Sequence, residues 1–137
     1  MSLYLGVFAG EHELAGLEVG SYADFNALRQ TIARVLEGGS ADTRFPSLML
    51  HSDCEGEWAV SACAQLREEL ATIVAELAAL PPLPFPGNWQ ESVARACGRK
   101  PGNASESFID VDGEFLLPRL QGLVEAALTQ GQPILFQ

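Results

Sequence analysis

Directly after the apolar run Leu48-Met49-Leu50, the chain places His51, Asp53, Cys54, Glu55, Glu57 and Trp58 within a few residues of one another. Asp53, Glu55 and Glu57 alternate, so on extended backbone their three carboxylates face one way. A second acidic turn, Asp110-Val111-Asp112-Gly113-Glu114, repeats that alternation far along the chain. Hard cations such as calcium or magnesium take oxygen ligands of this kind. Two carboxylates in a cleft can carry acid–base hydrolysis. The Lys and Arg side chains of a protein partner fit the same groups.

Each chemistry meets its own objection. The Asp-x-Asp-Gly fragment at Asp110 opens like a calcium loop, but Gln121 stands where the closing Glu belongs. His51 and Cys54 are close in sequence, yet the only other histidine is His12. No Gly-x-Ser-x-Gly elbow, paired-His zinc motif or phosphate-cradling Gly loop is present. A lone Cys is more often a small buried hydrophobe than a nucleophile, and His51 reads first as a structural group bonded to a backbone carbonyl. Trp58 and Trp89 read first as anchors of loops on the core and second as interface hot spots.

The binding reading needs least coincidence. It assigns partner contact to Asp53, Glu55, Glu57, Trp58, Asp110, Asp112 and Glu114, with no catalytic residue, metal or cofactor, and it requires both turns on one side. The alternative is a small metal-dependent hydrolase using the same carboxylates. A third reading, a subunit of a larger assembly, calls for an exposed apolar patch at Leu83 and Phe85.

Composition weighs on the same choice. The chain has 137 residues, 18 acidic against 8 basic, for a net charge of −10, and Lys100 is its only lysine. That length makes one domain able to bury its own core. So negative a surface repels phosphate backbones, which argues against nucleic acid, and attracts a basic protein such as a nuclease. The start Met1-Ser2-Leu3-Tyr4-Leu5-Gly6 lacks the basic region and cleavage site of a signal peptide. No apolar stretch is long enough for a membrane span. Three cysteines, Cys54, Cys63 and Cys97, form no metal-type pair and fit a reduced cytoplasm.

The elements that must position these groups follow from periodicity. Leu3 to Phe8 and Leu14 to Val19 predict a hairpin. Ser21 with Asp24 predicts a capping box, ahead of Phe25, Leu28, Ile32 and Leu36 at helical spacing and a stop at Gly38-Gly39. Arg44 to Ser52 predicts a central strand, because Leu48-Met49-Leu50 lacks polar alternation. Ser61 is expected to cap the longest helix, with Leu66, Leu70, Ile73, Val74 and Leu77 inward. In the two helices Arg29, Gln30, Arg34, Arg67, Glu68, Glu69 and Glu76 face water. Four prolines from Pro81 to Pro86 end the long helix and make an extended arm. A short helix over Asn88 to Cys97, capped by Asn88, precedes a polar loop. A last helix runs from about Leu117 to Gln130, closed by Gly131, and Pro133 to Phe136 forms a strand placed beside a central one. The sum is an α+β single domain, a mixed sheet of about four to five strands flanked by about three helices.

Several of these segments, taken together, resemble a known family. Met1-Ser2-Leu3-Tyr4-Leu5-Gly6-Val7-Phe8, Gly20-Ser21-Tyr22-Ala23-Asp24-Phe25 and the stretch from Arg44 to Trp58 are similar to the bacterial immunity protein 70 family. So are Phe108 to Glu114 and the ending Gly131-Gln132-Pro133-Ile134-Leu135-Phe136-Gln137. The resemblance runs nearly end to end and is weakest between Pro81 and Ser107. It implies a small cytoplasmic, non-enzymatic antitoxin-like protein that binds a cognate polymorphic-toxin domain and neutralises it. It carries over no established binding or catalytic residue.

Overall fold

The computed structural model describes residues 2–39 and 44–137. Leu3, Leu5 and Val7 alternate with Tyr4, Gly6 and Phe8, which builds β1 (Ser2–Ala9). A tight turn at Gly10 returns the chain as β2 (His12–Ser21), with Leu5 opposite Leu17 and Gly6 opposite Gly16. The two-residue β3 (Glu57–Trp58) and β4 (Ile134–Phe136) complete a sheet of order β2-β1-β4-β3. The α+β class expected from the pattern is present. Among the described residues every pairing is antiparallel, however, so the sheet is not mixed. The strand near the C-terminus lies beside a central one, between β1 and β3.

Among the described residues five α-helices pack on the sheet or on one another: α1 (Tyr22–Leu36), α2 (Pro46–Met49), α3 (Val60–Ala78), α4 (Asn88–Ala96) and α5 (Leu116–Gln130). Leu3, Leu5, Val7, Leu17, Val19, Trp58, Ile134 and Phe136 share one face of the sheet and are buried. The apolar stripes of α1, α3 and α5 meet them there, through Phe25, Leu28 and Ile32, Leu66, Leu70 and Ile73, and Leu120, Leu123 and Val124. Side chains of the other parity point away from this core.

The predicted central strand over Arg44 to Ser52 does not form; its middle is the single turn α2. Pro46 suits the first helical position and cannot donate to a sheet ladder. Such a short helix is unstable alone, and two side chains remote in sequence satisfy its ends. Glu69 of α3 accepts the N–H groups of Ser47 and Leu48 at 3.0 Å each. Arg29 of α1 donates to the carbonyls of Leu48, Met49 and His51 at 3.3, 3.3 and 2.6 Å. Both residues were expected to face water, but Glu69 is buried and Arg29 half-buried.

The capping expectations divide. Ser21 and Asp24 form a full capping box at the start of α1. α3 and α4 begin one residue before Ser61 and at Asn88, with Ala59 and Gly87 as caps and no side-chain bond. Asp24 carries more than its own helix, because Trp89 Nε1 donates to it at 3.2 Å and Gln90 Nε2 at 2.9 Å. This fastens α4 to the start of α1 and bears out Trp89 as a structural anchor. Burial pushes the Asp24 carboxyl up, but the bonds from Ser21, Trp89 and Gln90 prevail and hold it below its ordinary value. A depressed carboxyl stabilises the fold above its unfolded pKa, near 4, and that contribution fades as pH falls through the lower folded value. Urea midpoints should therefore drop on acidification below about pH 4, and Asp24→Asn should flatten part of that drop. An identical pH profile in the variant would refute the assignment.

Candidate functional site

The first acidic turn hangs from the β3 edge of the sheet. Its His51 ring stacks on Phe136 at 4.1 Å, with Nδ1 2.9 Å from the Ser52 carbonyl and Nε2 2.8 Å from the Glu57 carbonyl. Each ring nitrogen thus faces a backbone carbonyl, in keeping with the structural reading of this histidine. Asp53 accepts from Asn26 Nδ2 at 2.6 Å. That bond, aided by Cys54 and the nearby Arg29 charge, holds its carboxyl below the usual range. Glu55 and Glu57 are exposed. Trp58 is only 2% exposed, donates from Nε1 to the Ser47 carbonyl at 2.8 Å and packs edge-on against Phe25 and Phe136. It is a core group, not the presented aromatic the sequence proposed.

The second acidic turn is built around a buried carboxylate. Asp110 has no exposed surface; its Oδ1 accepts the N–H groups of Asp112 and Glu114 at 2.9 and 3.0 Å. Its Oδ2 accepts from Arg119 at 2.8 Å. Burial pushes the Asp110 carboxyl up, against the pull of those donors. Asp110 therefore shapes the turn and is not available to a partner. Gly113 sits at φ +82°, and a Cβ there would come within 2.6 Å of Cys97 Sγ, so only glycine lets α4 dock on this turn. Arg99 takes up Glu114 at 2.6 Å. Asp112, with its side chain 70% exposed, projects furthest.

The two turns lie at opposite edges of the sheet. Val111 donates to the Glu18 carbonyl at 3.1 Å and Arg119 to the Gly16 carbonyl at 3.1 Å, which fixes the second turn along the outer side of β2. The first turn leads into β3 at the far edge. Their carboxylates do not converge on one point, and among the described residues no three His, Cys, Asp or Glu are placed to hold a metal. The sheet face turned away from the core lies between them, and the first turn contributes only Glu57 to it, because His51 and Asp53 sit on the helix side against Phe136 and Asn26 of α1. By register Glu57, Leu135, Gly6 and Gly16 form one row across it. Tyr4 stands opposite Glu18, and its hydroxyl donates to Glu13 at 2.6 Å. That bond, then burial and the Glu13 charge, push the Tyr4 phenol up to about 12; Asp112 lies near enough to add to the rise.

Tyr4, Arg29 and Arg119 were not singled out by sequence reasoning as parts of this region. Strand parity alone places Tyr4, Gly6 and Phe8 on one face, so that signal was present. For the two arginines the sequence holds none, since their carbonyl partners are set by tertiary packing. Leu83 and Phe85, considered for an exposed apolar patch, are both half-buried. Among the described residues no helix is long and apolar enough to cross a membrane. A family model described as Immunity protein 70 matches residues 3–136. No curated protein and no solved structure matches the chain.

Proposed function

Because the chain belongs to the immunity protein 70 family, whose model spans nearly all of it, we propose that it neutralises a cognate polymorphic-toxin domain by binding it directly in the cytoplasm. The family supplies the immunity role. The net charge of −10 is the observation that carries the mode of binding, since it favours a basic toxin such as a nuclease. Nucleic acid and anionic membranes are disfavoured by the same charge, and no cofactor enters. The contact surface draws on the exposed Glu55, Glu57 and Asp112, with Asp53 and Glu114 at its margins. Asp110 and Trp58 support it from beneath. A metal-dependent hydrolase finds less support, because the carboxylates it would need are divided between two edges of the sheet.

Reversing charge with Glu55→Lys and Glu57→Lys should slow association with the toxin domain this chain protects against by about tenfold, and should weaken the dependence of that rate on salt. Unchanged neutralisation and unchanged kinetics would remove this turn from the interface. Stoichiometric calcium, magnesium or manganese binding that disappears in Asp53→Asn would instead favour the hydrolase.

A further inference from the structure

We propose that the toxin docks on the helix-free face of the sheet, with Glu57 of the first acidic turn and Asp112 of the second at its rims. The occupant is a protein patch in which Lys and Arg side chains surround an apolar projection. The proposal rests on the toxin-binding reading above and says where on the molecule that binding occurs.

An antiparallel sheet with one solvated face ordinarily alternates apolar-in and polar-out. Here the outward positions at the centre are Tyr4, Gly6, Phe8, Gly16 and Leu135, none of them charged. Charge is confined to the surround: Glu13 and Glu18 on β2, Glu57 on β3, and Asp112 in the second turn. The cation near this rim, Arg119, is already engaged by Asp110 and the Gly16 carbonyl. An apolar centre containing aromatics, ringed by groups of one sign, is the anatomy of a protein interface more than of a solvated surface.

The two glycines shape that centre. A Cβ on Gly6 would come within 2.6 Å of the Phe8 ring, and one on Gly16 would overlap the Tyr4 ring. Both rings therefore lie down over the glycines, giving a broad, low floor. Such a floor sits on a hydrogen-bonded sheet and needs little ordering on association, which favours affinity. A second copy of this chain is the wrong occupant, because it would bring four carboxylates against the same four. A cationic protein satisfies the rim and the centre together.

The test measures the affinity and association rate of the purified toxin domain for the full chain and three variants. Leu135→Arg places a cation at the centre. Glu18→Lys reverses one rim charge. Glu68→Lys makes the same charge change on α3, whose helix packs on the other side of the sheet. Leu135→Arg should weaken binding about 30-fold or more and Glu18→Lys about tenfold, with Glu68→Lys within about threefold of the parent. Thermal melts establish that each variant folds; should Leu135→Arg fail to, Glu18→Lys against Glu68→Lys still decides. Equal effects of those two reversals, or a folded Leu135→Arg that binds like the parent, would overturn the placement while leaving toxin binding intact. Self-association of the parent that Leu135→Arg abolishes would also overturn it, in favour of a second copy. Failure of the parent itself to bind the toxin domain would sink the function on which the placement rests.

Discussion

Asp110→Ala should unfold at a lower urea concentration than the parent, by the equivalent of about 2–4 kcal/mol, without a change in m-value. The carboxylate has no contact with solvent and accepts two backbone N–H groups and the Arg119 guanidinium. Its removal orphans both backbone N–H groups and leaves the Arg119 guanidinium only Asp112 at 3.4 Å and the Gly16 carbonyl. The figure sits below the usual cost of breaking a buried ion pair because Arg119 is about a third exposed and regains some hydration. Asp110→Asn should fall between the two, since an amide oxygen still accepts from the turn while its NH2 faces Arg119 unfavourably. The parent's midpoint in the alanine variant would show that the turn holds itself without this carboxylate.

Trp58→Ala should cost about 3–5 kcal/mol, the range for deleting a buried aromatic side chain. The indole fills the space between Phe25, Phe136 and His51, and its N–H satisfies the Ser47 carbonyl. The loss is comparable to the whole stability of a marginal domain, so the variant should be largely unfolded at 37 °C by circular dichroism. Trp58→Phe retains most of the packing but leaves the carbonyl unpaired and should recover more than half of the deficit. A well-folded alanine variant with reduced toxin affinity would restore the sequence's view of Trp58 as a contact residue.

How much of this could be read in advance depended on where each element finds its partners. The β1–β2 hairpin, the Ser21–Asp24 box of α1 and the Gly131 stop of α5 are governed by neighbours in sequence, and all were legible. The stretch from Arg44 to Ser52 was misread because its apolar residues fit a strand, whereas Glu69 and Arg29, far off in sequence, hold it as a helical turn. The same limit governs the candidate site. Alternation picks out the two acidic turns, yet it cannot distinguish Asp110, swallowed by its own turn, from Asp112, whose side chain is 70% exposed. The face between the turns was visible in β1 parity, but it acquires meaning only once register sets Leu135 beside Gly6 and Glu57 beside Leu135.

The placement of β4 has a consequence for how the sheet closes. This short segment is the seam between β1 and β3, so strands far apart in sequence are not joined in one sheet until residues 134–136 seat between them. Contacts spanning nearly the full length of a chain form slowly. Whatever keeps these few residues from seating would leave the sheet parted into two pieces, a small local change with a long reach.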